Sequence, residues 1–321
     1  MSPGRSRRIL ITGLASQVGG RLAQRLELDP GVEKIVGLDT DPPRHRLERT
    51  EFVRAQAEPA LLGPALRTAR IDTVVETRPP AAVDARAAEG LIAALEAASP
   101  AVDKLVLKSS AHYYGYGPGA PAFLTEDVTA SPRPPRGMRS RVIDAETAAG
   151  QFAAGHPGTT VTILRFAEEV GAGASGAHLR LLSLPVIPAI LGFDPRWQLV
   201  EEHDVVGALA HAVDRDLPGA YNVAADGVLA LSEIAELLEK IVVPLLPPFG
   251  VRAPLHALRR AGLPAPVELL EALRFGRGLD NRRLKATGFP YRYTSREAIL
   301  RLRDHQRHPP RAALQRSLQD R

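Results

Sequence analysis

Residues 8–39, RILITGLASQVGGRLAQRLELDPGVEKIVGLD, narrow the ways this chain can begin to fold more than any other stretch. A short apolar run ends at a glycine turn, an amphipathic stretch of helical period follows, and a second apolar run closes on Asp39. Read as strand, turn, helix and strand, this is a dinucleotide-binding signature. Gly13 lets the first strand turn sharply. Ser16, Gln17 and Val18 sit where the N–H groups of a helix start meet a pyrophosphate, and Gly19 lets the helix lie close on the strand. Asp39, 20 residues after Gly19, is placed to accept hydrogen bonds from an adenosine ribose and to repel a 2′-phosphate, which favours NAD. Ser16 stands where the middle glycine of the fingerprint is usual, and its Cβ restricts how near a phosphate can come. Asp41, Arg44 and Arg46 follow closely; an arginine there meets a 2′-phosphate, so NADP stays open as the alternative.

With 321 residues and 45% hydrophobic content, the chain can bury one large core or two smaller ones. It has no cysteine, which excludes disulfides, thiolate zinc sites and a cysteine nucleophile, and suits the reducing cytoplasm expected for it. The apolar stretch LLSLPVIPAILGF at 181–193 is too short for a membrane span and is broken by Pro185 and Pro188, so no transmembrane segment is expected. Net charge is +5, dense only in the C-terminal RLRDHQRHPPRAALQRSLQDR. With no zinc spacing and 5% aromatic residues, no nucleic-acid module is expected. Glu201, Glu202 and His203 are adjacent, so they point different ways, and no metal site is expected.

Strands near 8–13, 33–39, 51–55, 71–76 and 103–109 alternate with helices at 17–28, 58–68 and 80–98. That rhythm predicts an α/β fold, a doubly wound parallel sheet with ligand beyond the carboxyl ends of its strands. The Pro- and Gly-rich loop 115–137 lies beside that expected site. A helix at 138–155 and a strand at 159–166 continue the sheet, a strand is expected at 198–200, a helix at about 204–214 with Asp204 as its N-cap, and a strand at 219–223. Short helices follow near 232–240, 254–262, 266–276 and 295–303. The predicted domains are a nucleotide-binding part over 1–171, continued by 198–223, a mostly helical substrate-binding cap from 172–197 and 224–305, and a basic tail, 306–321.

TGLASQVGG, LVLKSSAHYYG, VTILRFAEEVG, EEHDVVGAL, YNVAADGVLALSEIAELL and DNRRLKATGFPYRYTSREAI occur in an order and spacing that resembles the extended short-chain dehydrogenase/reductases, in their NAD-dependent epimerase/dehydratase branch. The resemblance covers roughly residues 8–300. It implies a Rossmann-type sheet with a smaller cap, a tightly held nicotinamide cofactor and often a nucleotide-sugar substrate; a homodimer paired through the helices at 80–98 and 138–155 follows if the chain assembles as its relatives do, but the alanine-rich faces of those helices serve equally well against the sheet. It also implies a serine after the fifth strand that orients the substrate, matched by Ser110, and a Tyr-x-x-x-Lys pair on the next helix.

That pair is missing. Aligned on Glu146, Met138 takes the tyrosine position and Val142 the lysine; a shift of one gives Gly137 and Arg141. The residues four after each of the six tyrosines are Gly117, Pro118, Ala120, Ala225, Ser295 and Glu297. Neither Met nor Val exchanges a proton. Substitutes are expected at the end of the fifth strand, where Tyr113 or Tyr114 covers for the missing phenol and Lys108 and Arg141 hold the cofactor; His112 beside them is read first as a surface or loop-packing histidine, with proton transfer as the alternative. Arg196, Arg274 and Arg277 are candidate substrate contacts, because the guanidinium fork matches phosphate oxygens; Arg165, at the end of the sixth strand, is read first as packing and capping the sheet edge, with substrate contact as its alternative role. Two functions fit these residues: an NAD-binding epimerase, dehydratase or reductase with a degenerate catalytic pair, or a non-catalytic NAD(P) sensor or scaffold.

Overall fold

The computed structural model describes residues 6–308 apart from 56–58, 80–81, 84, 99–101, 131–133, 135, 172, 175, 247–255, 257–259 and 261–265. In chain order the strands are β1 (Arg7–Thr12), β2 (Val32–Asp39), β3 (Thr50–Arg54), β4 (Thr73–Glu76), β5 (Lys104–Ser110), β6 (Thr160–Phe166), β7 (Glu168–Val170), β8 (Val186–Ile190), β9 (Arg196–Trp197), β10 (Leu199–Glu201), β11 (Gly219–Val223), β12 (Leu229–Ala230) and β13 (Ile241–Leu246). The helices are α1 (Gln17–Glu27), α2 (Pro59–Thr68), α3 (Ala85–Glu96), α4 (Met138–Gly155), α5 (Ala177–Ser183), α6 (Glu202–Asp214), α7 (Leu231–Leu237), α8 (Val267–Phe275), α9 (Arg282–Ala286) and α10 (Ser295–Arg307). A single 3-10 turn, Ala111–Tyr113, follows β5.

These elements form two compact units. The first comprises residues up to Tyr114, Thr129–Phe166 and Val205–Asn222; the second comprises Gly115–Val128, Ala167–Asp204 and the residues from Val223 onward.

The first unit carries a seven-stranded sheet in the order β11-β6-β5-β4-β1-β2-β3. The pairings of β1 with β2 and β4, β2 with β3, β4 with β5, and β5 with β6 are all parallel. Helical crossovers cover a parallel sheet on both faces, so its central strands are mostly apolar, and β1 buries Ile9, Leu10 and Ile11 completely, while the edge strand β3 has no buried residue. Strand order reverses at β1, between β2 and β4, and the crevice beyond such a reversal is where a doubly wound sheet binds ligand. The α1 helix lies at that crevice and packs down through Leu22, Ala23 and Leu26 at helical spacing.

Glu27 closes α1 and holds the following loop by accepting the N–H groups of Glu48, Arg49 and Thr50 and the Thr50 hydroxyl. Burial pushes its carboxyl up, but the Thr50 hydroxyl and the three amides outweigh that, leaving it below its ordinary value. A lowered native pKa means stability that is present above the ordinary glutamate value and lost as pH falls through the native one. Glu27→Gln is therefore expected to cost about 1 kcal/mol at neutral pH, discounted for partial exposure. The gap to the wild type should close below about pH 4 in urea titrations.

The second unit is built around Leu181, Ile187, Ile190, Trp197, Leu231, Ile234, Leu273 and Ile299. Besides its helices it contains three two-stranded pairs: β7 with β10, β8 with β13, and β9 with β12. The strand expected at 198–200 forms as β10 and pairs with β7. The parallel β8·β13 pair leaves no mark in the sequence pattern, because Pro185, Pro188 and Pro244 interrupt the alternation and the two segments meet only in space.

Asp204 is not an N-cap. The α6 helix starts at Glu202 directly after β10, which puts Asp204 in its first turn, where the carboxylate accepts the N–H groups of Arg292 (3.0 Å) and Tyr293 (3.2 Å). Of the helix expected near 254–262 only His256 and Arg260 are described, both helical, and all but the first residues of the basic tail lie outside the described residues.

Candidate functional site

In the first unit the glycine turn is held by side chains that the sequence placed around a ligand. Gly13 has φ +76°, and a Cβ there would come within 2.8 Å of the Arg78 nitrogen. Ser16 is the N-cap of α1: its Oγ accepts the Gly19 N–H at 2.9 Å and donates to the Gly13 carbonyl at 2.7 Å. A serine in place of the fingerprint's middle glycine thus caps the helix instead of opening the turn. Gln17 Oε1 lies 3.0 Å from His45 Nε2, and Val18 occupies the next position in the first turn.

Asp39 ties the end of β2 to that turn. One carboxylate oxygen accepts the Ala15 N–H at 2.8 Å; the other accepts Thr40 at 2.7 Å and Asp41 at 3.3 Å. Asp41, Arg44 and Arg46 are exposed beside it. A helix start with a capped first turn, no Cβ at Gly13 or Gly19, and a carboxylate at the end of the neighbouring strand together form a cradle suited to an adenine dinucleotide.

At the end of β5, successive residues diverge as strand geometry requires. Ser109 is buried and donates to Glu146 on α4 at 2.5 Å. Ser110 is half-buried, with Oγ 2.8 Å from His112 Nδ1, and it accepts the His112 N–H at 3.2 Å. Lys108 is buried with Nζ 5.4 Å from the Phe166 ring centre. A small pocket is lined by Val83, Leu107, Lys108, Ser109, Arg141, Val142 and Ala145, which brings the two proposed cofactor cations to one place beside Val142. Arg141 is exposed and Val142 is buried, while Met138 opens α4 half-buried.

The two tyrosines differ in setting. Tyr114 is buried, its hydroxyl donating to Asn222 Oδ1 at 2.8 Å and accepting from Arg165 Nη1 at 2.9 Å. Tyr113 is half-buried, with its ring face 3.6 Å from the Arg165 guanidinium carbon. Arg165 is itself buried, and its other nitrogens contact Glu146 at 2.7–3.2 Å. Burial pushes the Glu146 carboxyl up, while Arg165 and Ser109 pull it part of the way back. In the sequence Glu146 serves only as a landmark for alignment, and nothing in an alanine-rich helix announces it as the buried centre of this network.

In the second unit, Arg277 and Glu168 form an ion pair at 3.0 Å in which Arg277 is 5% exposed. Arg277 also donates to the Tyr116 hydroxyl at 2.9 Å and lies 4.2 Å from that ring centre. Glu168 accepts from Tyr116 at 3.1 Å and lies 3.1 Å from His178 Nδ1. The arginine is legible in the sequence as a phosphate contact; its carboxylate partner is not, being 109 residues away. Arg196 is exposed on β9, and Arg274 is half-buried in the last turn of α8. Among the described residues no helix is long and apolar enough to cross a membrane.

The chain belongs to the NAD dependent epimerase/dehydratase family, whose model matches residues 9–224. It is 33% identical over 311 residues to the uncharacterized protein Rv0501 of Mycobacterium tuberculosis strain H37Rv, covering 91% of this chain and 82% of that one. Solved structures share the fold. The UDP-glucose 4-epimerase of Thermus thermophilus in complex with NAD matches with TM-score 0.70 and 21% identity, covering 94% of this chain and 100% of that one. Bacillus anthracis dTDP-glucose 4,6-dehydratase in complex with NAD gives TM-score 0.71 at 14% identity, with coverage of 94% and 97%. MoeE5 in complex with UDP-glucose and NAD gives 0.65 at 21%, with coverage of 94% and 98%.

Proposed function

We propose that this protein binds NAD at the start of α1 and carries out epimerase- or dehydratase-type chemistry on a nucleotide-linked sugar, with Ser110 and His112 doing the proton work of the absent Tyr-x-x-x-Lys pair. The observation that carries this reading is the 2.8 Å contact between Ser110 Oγ and His112 Nδ1 at the carboxyl end of β5, beside a Tyr114 phenol already engaged at both ends. Gly13, Ser16, Gln17, Val18 and Gly19 would hold the pyrophosphate, and Asp39 the adenosine ribose. Lys108 and Arg141 are the cations offered to the remainder of the cofactor.

NAD, when bound, supplies a hydride acceptor. The residues of the chain handle the proton that a sugar hydroxyl must release as its carbon is oxidised. Ser110 accepts that proton while passing its own to His112 Nδ1, and the imidazolium returns it along the same path. Tyr113, half-buried on the same turn, is the second candidate acid. Arg165 and Tyr114 act through it by fixing its ring. Arg196 and Arg274 remain the candidate diphosphate contacts.

His112→Ala and Ser110→Ala are each expected to lower turnover about 100-fold or more, the usual worth of a positioned acid/base group, with NAD affinity unchanged. Tyr113→Phe distinguishes the second candidate. The assay is nicotinamide reduction and product formation with a panel of nucleotide sugars, alongside NAD uptake by calorimetry. Met138 and Val142, which offer no proton, favour the sensor reading instead; NAD uptake without any turnover, unaltered in the Ser110 and His112 variants, would establish it.

A further inference from the structure

We propose that the cations gathered at the carboxyl end of β5 choose the redox form of the coenzyme, favouring the uncharged dihydronicotinamide of NADH over the nicotinamide cation of NAD. The inference rests on placing the diphosphate at the start of α1, and it names what discriminates at the other end of the same site. Asp39 closes β2 on one side of β1. The adenosine half therefore runs that way, and the nicotinamide half runs the other way, over β4 toward β5. β5 lies two strands from β1, a distance of about 10 Å.

Within the first unit, the carboxyl ends of β4, β5 and β6, the residues just beyond them and the start of α4 carry Arg78, Lys108, Arg139, Arg141 and Arg165 against Glu76, Asp144 and Glu146. Two of the carboxylates are answered in place, Glu76 by Arg78 and Glu146 by Arg165. That leaves Lys108, Arg139 and Arg141 with Asp144. Even if Asp144 neutralises one of the three, two positive charges remain. Each of them is tied to the end of β5. Lys108 is buried on the strand face it shares with Ser110, with Nζ 5.4 Å from the centre of the Phe166 ring, and Phe166 is the partner of Ser110 in the β5·β6 register. Arg139 donates from Nε to the Tyr113 carbonyl at 3.3 Å, and Arg141 lines the same small pocket as Lys108. The oxidised ring carries a full positive charge and the reduced ring none, while the ADP-ribose part is common to both. Positive charge near the ring therefore raises the free energy of the oxidised form alone, most strongly from Lys108, because burial removes the water and salt that would screen it. A sugar carbinol becomes a carbonyl by giving hydride to the ring and its hydroxyl proton to Ser110. The ring charge vanishes in that step, so the surrounding cations draw the transfer forward and hold the reduced coenzyme until the hydride is returned.

The test is calorimetry of NAD, NADH and ADP-ribose binding to the full chain and its variants. The ratio of NADH to NAD affinity is the readout, because any contact the cations make with the shared ADP-ribose part cancels in it. A wild-type ratio of about tenfold or more is expected. It should fall at least about threefold in Lys108→Met, return in Lys108→Arg, which keeps the charge, and fall about twofold in Arg141→Gln, where water screens the exposed side chain. A wild-type ratio near one, or a ratio left unchanged by either charge-removing substitution, overturns the proposal. Arg141 is exposed, so its arm stands even if Lys108→Met fails to fold. ADP-ribose binding without any preference for NADH sinks this proposal alone, whereas no ADP-ribose binding sinks the placement of the coenzyme along with it.

Discussion

Arg165→Ala is expected to destabilise the protein by about 3–5 kcal/mol, the cost of leaving one member of a buried ion pair unanswered. The Arg165 and Glu146 side chains are 6% and 4% exposed. Removing the guanidinium leaves a carboxylate facing the Ser109 hydroxyl alone and cuts the support of both Tyr113 and Tyr114. Burial already raises the Glu146 carboxyl, and without Arg165 nothing of opposite charge among its named partners restrains that rise. A native pKa raised above the unfolded one gives stability that is fully present below the unfolded value and lost as pH rises through the native one. The deficit of Arg165→Ala relative to the wild type should therefore shrink as pH is lowered toward about 4. Replacing both partners by apolar residues, Arg165→Met with Glu146→Leu, should recover much of the loss, because no buried charge then remains. Urea unfolding of the single and double variants checks this; an Arg165→Ala deficit that grows on acidification would refute the assignment of the buried charge.

Gly19→Ala should weaken NAD binding at least about tenfold and cost about 1–3 kcal/mol of stability, the usual penalty of overpacking. A Cβ at Gly19 would lie 2.3 Å from the Gly13 carbonyl oxygen and 2.7 Å from Thr77 Oγ1. Neither can yield cheaply. The first is backbone in the turn itself, and Thr77 Oγ1 is fixed by donating to the Thr12 carbonyl at 2.6 Å. The helix must move away from β1, taking its N–H groups out of line with the crevice. Gly20→Ala is the control: its Cβ would meet His45 Cδ2 at 2.5 Å, the far end of a side chain that can swing aside, so NAD affinity should change by less than about threefold. Equal losses in the two variants would sink the placement of the cofactor on this turn.

Much of the first unit is readable from periodicity alone. The alternation of apolar runs with amphipathic stretches locates β1 to β6 and α1 to α4, because a parallel sheet covered by helices requires that rhythm. The second unit is less legible. Its short strand pairs depend on partners far apart in the chain, β8 with β13 and β7 with β10, and prolines obscure the strand pattern. Candidate site residues are found by type and by local position, which is why Ser110, His112, Arg165 and Arg277 stand out in the sequence while Glu146 and Glu168 do not.

What sequence alone determined, then, is the dinucleotide turn, written within a few consecutive residues, and the absence of any Tyr-x-x-x-Lys string, read from the six tyrosines. What only the tertiary structure decided is how charges are answered. Glu146 meets Arg165 across 19 residues and Glu168 meets Arg277 across 109. Whether an arginine serves a ligand or an internal carboxylate depends on which groups folding brings within a few ångströms, and Coulomb energies at that range in a buried setting outweigh any local preference along the chain.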